Sequence, residues 1–207
     1  MLIYPLGGLL AIGAVMCGTN PVMGIINTAI STWLNSMGDT SRVLMGAIVA
    51  ALMGIDMGGP LNKATYVFGT AALASGNYEI MASVMVGGMV PPIVIALSTT
   101  FFPKKWTADE RRNGIINYVM GLCFVTEGAI PYAATDPLRV IPSCAIGSAL
   151  AGALSMVFGC ALRAPHGGIF VFPVVEHAPL YLVALAAGSM VGALLLSVLK
   201  KTKTEEA

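Results

Sequence analysis

Four stretches of this chain carry no formal charge and are long enough to cross a bilayer: residues 1–38, 80–103, 140–162 and 178–199. A transmembrane helix needs about 20 consecutive apolar residues. The chain is 57% hydrophobic and 10% charged, whereas a soluble domain carries about a quarter charged residues. It therefore reads as a polytopic integral membrane protein with transmembrane helices. The span within 1–38 is expected to be broken near Pro21. The runs 43–55, 64–78 and 113–126 are too short to cross alone, and each adjoins a polar, glycine- or proline-rich stretch.

Charge sets the expected orientation. The most polar interior loop, PKKWTADERRN at 103–113, holds Lys104, Lys105, Arg111 and Arg112, and the tail at 200–207, KKTKTEEA, is basic at its start. The positive-inside rule places both in the cytoplasm, so an even number of crossings separates them. The runs 140–162 and 178–199 supply two. Residues 114–139 and 163–177 then enter and leave on one side as re-entrant hairpins; four crossings would satisfy parity equally.

Several function classes drop out. A net charge of +1 with no basic stripe or interleaved aromatics gives no basis for nucleic-acid binding. Cys17, Cys123, Cys144 and Cys160 are scattered through apolar segments without clustered metal-ligand spacing, and read as packed thiols. The N-terminus lacks the basic region of a secretory signal and reads as the start of a membrane segment, or as a chain entered midway. There is no GxGxxG, Walker loop, GxSxG or HExxH. No cofactor or metal is implied.

Three polar stretches interrupt the apolar sequence: DMGGPLNK at 56–63, TEGAIPYAATDPLR at 126–139 and RAPHGGIF at 163–170. Each joins an ionisable residue to glycine or proline. Irregular backbone at membrane depth survives only where protein or a wet cavity receives its polar groups. Ionisable residues there are costly and mark functional sites by default, and interrupted helices are a recurring transporter device.

Asp136 precedes Pro137, the arrangement of a capping residue before a helix-starting proline. Arg139, one turn on, can pair with it, which would explain both charges without a ligand. Glu127 has no basic residue within a turn, and Gly128 beside it permits close approach. Its carboxylate either accepts from or polarises a sugar hydroxyl, or is satisfied by amides or by a distant lysine such as Lys63. Neutral His166 can donate and accept at once, which suits a hydroxyl-rich ligand as well as a core hydrogen bond. Asn62 and Lys63 offer a donor, an acceptor and a charge, and Asp56 has Lys63 as a natural partner. His177, beside Glu176, reads as structural. Within GSALAGALSMVFG, Ser148 with Gly152 and Ser155 with Gly159 have the spacing of close helix contacts. The GGP at 58–60 and the HGG at 166–168 echo each other weakly. Up to this point the residues define a polytopic transporter or channel for an uncharged or weakly charged polar solute.

The stretches DMGGPLNKATYVFG, FVTEGAIPYAATDPLRVIPS and APHGGIFVFP resemble the signature segments of the fructose-type EIIC permease, the membrane component of the bacterial sugar phosphotransferase system. PVMGIINTAISTWLNSMG is similar too, so the resemblance runs over most of the chain. It implies an all-α fold, with residues 1–207 forming one permease domain, a homodimer, and one sugar per protomer held partly by re-entrant hairpins. The location it implies is the bacterial inner membrane, crossed several times. It also implies phosphorylation of the incoming sugar by a phosphocysteine on a partner IIB domain, itself charged from a IIA histidine. Glu127 and His166 match the family's acidic and histidine motif positions. Sugar contacts from Asp56, Asn62, Lys63, Asp136 and Arg139 follow by the same resemblance.

Relative to that family, upstream spans and the IIB cysteine motif are absent, so the chain is expected to be part of a longer permease domain. It carries no phosphoryl-bearing residue and acts as a transferase component only with IIA and IIB. The competing readings are a secondary transporter or channel without phosphoryl transfer, and an inactive permease remnant. A mannose-type or mannosylglycerate-type substrate stays open beside fructose.

Overall fold

A computed structural model describes residues 39–200, with side chains from residue 41, all within one compact unit spanning 38–207. The expected span within 1–38, its break near Pro21, Cys17 and residues 201–207 of the tail lie outside the described residues.

Helices α1 (Asp39–Asp56) and α2 (Pro60–Ala74) form a hairpin. Met57 and Gly58 turn the chain with φ of 42° and 111°. Pro60 then begins α2 with its ring at the first position, where no N–H is needed. Helix α3 (Tyr78–Phe101) is apolar on every side and packs against α1, α7 (Pro137–Val157) and α8 (Ala178–Leu199). A helix hydrophobic all round must be buried, and Met81, Met85 and Met89 are fully so. By length and composition α3, α7 and α8 are able to cross a membrane. The run 43–55 belongs to α1, and 64–78 includes most of α2, so these two runs are the limbs of a hairpin that turns back beside the spanning helices.

Proline placement explains how α3 stays whole. Pro91 and Pro92 lie inside it, and neither can donate to the carbonyl four residues back. Those carbonyls belong to Gly87 and Gly88. Ser148 of α7 donates its hydroxyl to Gly87 at 2.9 Å, and Thr126 donates to Gly88 at 2.8 Å. An orphaned buried carbonyl costs about 1–3 kcal/mol, and side chains from two other segments remove that cost.

Small residues set the helix crossings, as they do where lipid offers no hydrophobic drive. Gly152 of α7 lies against the Gly46 backbone of α1, and Gly147 of α7 against Gly188 and Gly192 of α8. Ser148 and Gly152 thus contact within one protomer, as their spacing allows. Ser155 and Gly159 do not form a second such pair. Gly159 sits past the end of α7 at φ 62°, where a Cβ would meet nothing within 4 Å. The reason is that the helix ends at Val157, before the spacing repeats.

The remaining segments turn back part-way along α3. Helices α4 (Ala108–Gly114), α5 (Ile116–Leu122) and α6 (Ile130–Thr135) lie between α3 and α7 in sequence. Gly114 abuts Thr99 near the end of α3, Gly121 abuts Ile93, and Thr126 bonds Gly88, near the middle of that 24-residue helix. The chain then returns to Asp136 at the start of α7, which reaches Lys200 at the end of α8. Residues 114–136 are therefore a hairpin that penetrates halfway and leaves where it entered. From the opposite end, 163–174 loop inward between β1 (Ala161–Leu162) and β2 (Val175–Glu176), an antiparallel pair that closes the loop's base. Both turned-back segments fall within the stretches expected as hairpins, 114–139 and 163–177, the alternative to four crossings.

Candidate functional site

The three polar stretches meet at mid-height of α3. Phe124 (φ 61°) rests its ring against Gly88 of α3 and Gly167 of the 163–174 loop, where a Cβ would come within 2.5 Å of the ring in each case. Its centroid is 5.9 Å from that of His166. Tyr66 of α2 donates to the Pro165 carbonyl at 2.6 Å, and Lys63 of α2 pairs with Glu127 at 3.4 Å. The glycines whose motifs echo each other have one job. Gly58 lies against the Glu127 carboxyl, and Gly168 lies 2.8 Å (from its virtual Cβ) from the Leu122 carbonyl, so both admit the same hairpin.

The expected partner of Asp56 is corrected. Asp56 does not pair with Lys63; its Oδ2 accepts from the amides of Leu61 at 2.6 Å and Asn62 at 3.4 Å. It thereby satisfies the first N–H groups of α2, which have no helical partner, and the Met57–Gly59 turn holds it there. Lys63, one turn further along α2, is released to reach Glu127. Asn62 is buried and donates to the Met53 carbonyl at 3.2 Å, tying α2 to the end of α1.

Glu127 and Lys63 keep side-chain exposures of 47% and 65%. Charges this open at mid-height of a membrane helix face water, a ligand or other protein, since lipid would not accept them. His166 is exposed too, with Nδ1 2.5 Å from the Gly167 carbonyl. Asp56, Lys63, Glu127 and His166 are brought to one junction.

Asp136 and Arg139 stand at the other end of the hairpin. Arg139 donates to both Asp136 oxygens at 2.9 and 3.1 Å, the pair expected from their spacing. The expected side-chain cap is not made: Asp136 directs its carboxylate to Arg139 and to Lys200 at 3.8 Å instead of to the α7 amides. Two cations outcompete neutral N–H donors. Lys200, 4% exposed, also lies 3.9 Å over the Trp106 ring, and Lys105 donates to its carbonyl at 2.7 Å. This cluster fastens the loop after α3 to the ends of α7 and α8.

Between the limbs of the hairpin lies a cavity of about 440 Å³ whose lining includes Asp109, Asn117, Met120, Glu127, Tyr132 and Thr135. Tyr132 in its wall donates to the Glu110 carbonyl at 2.9 Å. Burial, then the Glu110 charge, pushes the Tyr132 hydroxyl above the usual range, so it stays a neutral donor. Sequence reasoning missed Thr126, Gly58 and Tyr66. The one available signal was the Pro91–Pro92 pair, which announces two free carbonyls without saying what fills them. Of the thiols, Cys144 is buried in α7, while Cys123 and Cys160 sit just past the ends of α5 and α7.

Spanning helices, turned-back segments from both ends and open ionisable groups where they meet define an all-helical polytopic membrane protein, of the class to which transporters belong. Comparison narrows the class. The chain is 49% identical over its whole length to the fructose permease IIC component of Bacillus amyloliquefaciens, covering 68% of that protein. It is equally identical to the PTS system fructose-specific EIIABC component of Bacillus subtilis, covering 33% of it. It is 44% identical over 86% of its length to the PTS system fructose-specific EIIC component of Haloferax volcanii, covering 48% of that protein. The chain belongs to the fructose permease IIC family. No family model matches it, and no solved structure matches it.

Proposed function

We propose that this chain forms the sugar-holding part of a fructose permease. It binds fructose or a related hexose at the junction of its turned-back segments and passes it inward as a partner IIB domain phosphorylates it. The observation that carries this reading is the open Lys63–Glu127 pair at mid-height, beside His166. The names of the relatives support the substrate and the partner domains. Glu127 accepts the proton of the attacking sugar hydroxyl as its oxygen takes the phosphoryl group and the IIB sulfur–phosphorus bond breaks. His166 orients the sugar, Lys63 holds the carboxylate and opposes incoming negative charge, and Asp56 and Asn62 fix the turn that presents Lys63. Asp136 and Arg139 anchor the hairpin. Residues 103–113 and the tail face the cytoplasm, where IIB and IIA work, and the protein acts as a homodimer in the cytoplasmic membrane.

The test is equilibrium binding of labelled fructose, with competing hexoses, to the purified chain and to Glu127→Gln. Membrane vesicles given phosphoenolpyruvate and the carrier proteins then report phosphorylated product. Saturable binding lost in the variant, together with sugar phosphate inside the vesicles, is the expected result. Binding that survives Glu127→Gln removes the assigned site. Uptake of unmodified sugar would point instead to a transporter without phosphoryl transfer.

A further inference from the structure

Helices α2, α5 and α7 end in the same hydrogen-bond pattern. After α2 the amides of Gly76 and Asn77 turn back to the carbonyls of Leu73 and Ala72. After α7 those of Gly159 and Cys160 turn back to Met156 and Ser155, and after α5 those of Phe124 and Val125 turn back to Gly121 and Met120. The residue at the turn is left-handed each time, with φ of 83° at Gly76, 62° at Gly159 and 61° at Phe124. Glycine fills that conformation readily, and a side chain fills it only at a cost. Where glycine stands, nothing lies within 4 Å of the Cβ position. Of the three turns only that after α5 carries a side chain, so the ring and not the backbone accounts for the residue there.

The ring stands where the two turned-back segments meet. One edge lies against Gly88 of α3 and Gly167 of the 163–174 loop, and the Cβ position of Gly168 is 2.8 Å from the Leu122 carbonyl oxygen. Met53 and Met85, both fully buried, flank the same two glycines, and methionine reshapes easily around a neighbour that moves. Among the described residues no hydrogen bond or ion pair joins 120–128 to 163–174. Each tip is tied to a helix instead, through Thr126 to Gly88 of α3 and through Pro165 to Tyr66 of α2. The tips can therefore part without leaving a polar group unpaired, which is what would make opening costly.

We propose that Phe124 is the stopper of the sugar path: its ring, wedged between Gly88 and Gly167, shuts the junction between the segments that enter from opposite ends, and sugar passes when their tips part. This rests on the permease reading above and deepens it, because it names the residue that keeps passage of sugar tied to phosphorylation. The strained turn is kept because glycine there would leave the joint unfilled.

The experiment loads proteoliposomes of the full chain with labelled fructose and follows its efflux with no phosphoryl donor present, for wild type, Phe124→Gly and Leu196→Ala. Fructose binding and thermal midpoints are measured on the same proteins. Leu196, fully buried in α8, reports on general loosening of the core. Phe124→Gly relieves the turn and removes the stopper, so efflux should rise about tenfold, the factor that losing roughly one aromatic contact from the closed state gives, while fructose binding is retained. For a purely structural phenylalanine, the midpoint falls and efflux stays at the wild-type rate. Where Phe124→Gly fails to fold, Phe124→Leu, too short to reach both glycines, is judged by the same efflux criterion. Efflux at the wild-type rate, or an equal rise in Leu196→Ala, overturns the stopper and leaves standing a permease reading that wild-type fructose binding supports. A rise confined to position 124 in a chain that binds no fructose keeps the stopper and removes the permease reading. No binding and no rise overturns both.

Discussion

Thr126 donates its hydroxyl to the Gly88 carbonyl at 2.8 Å, in the turn of α3 that Pro92 deprives of its amide. The proline and the threonine are thus one device, joining the hairpin tip to the central helix by a bond the helix cannot make for itself. Thr126→Val keeps the shape and removes the donor, and is expected to lower stability by about 1–3 kcal/mol. In a Pro92→Ala background the new amide takes the same carbonyl, and the cost of Thr126→Val should shrink. Thermal unfolding of the four combinations checks this. Additivity within about 0.5 kcal/mol would mean the two positions are independent.

Gly58 separates backbone strain from displacement of the site. Its φ of 111° disfavours a side chain, and a Cβ there would lie 2.8 Å from Glu127 Oε1. Gly76, in the turn between α2 and α3, has φ 83° with nothing within 4 Å. Alanine at either position should cost roughly 1–2 kcal/mol of backbone strain. Only Gly58→Ala should also move the carboxylate and weaken fructose binding. Equal affinity in the two variants would detach Gly58 from the site.

Much of this arrangement was legible in the sequence because hydropathy and charge act along the chain. Uncharged runs gave α3, α7 and α8, while the parity of basic segments left 114–139 and 163–177 open as turned-back stretches or as two further crossings. Pairings across the fold were not legible. Lys63 had two carboxylates to choose from, and only the Met57–Gly59 turn, which hands Asp56 to the α2 amides, decides for Glu127. Asp136 looked like a cap because Pro137 follows it, and nothing nearby in sequence announced Lys200.

The Asp136 cluster carries the next prediction. Lys200 is 4% exposed and shares Asp136 with the more open Arg139. Asp136→Asn removes the carboxylate that Arg139 and Lys200 share beside Trp106 and should lower stability by about 1.5–3 kcal/mol, the range for a hydrogen bond to a charged group. Arg139 is open enough to hydrate, which keeps the cost from rising further. A thermal midpoint unmoved by Asp136→Asn would show that the cluster does not anchor the hairpin.

Tyr66 offers a way to loosen the opposite wall of the junction without touching a charge. Its hydroxyl donates to the Pro165 carbonyl at 2.6 Å, a link from α2 to the 163–174 loop beside His166. Tyr66→Phe keeps the ring, removes one neutral hydrogen bond, and should lower stability by only about 0.5–1.5 kcal/mol. Its main effect is local. Few other bonds hold the loop's inner part, because Gly167 and Gly168 contribute packing against Phe124 and Cys123 without side chains of their own. Amide hydrogen exchange across 163–174 should therefore quicken in the variant, while exchange in α7 and α8 stays at the wild-type rate. Fructose should slow the exchange again if His166 contacts the sugar, since bound ligand adds the restraint that Tyr66 supplied. Faster exchange that fructose leaves unchanged would place the sugar on the Lys63–Glu127 side of the junction alone.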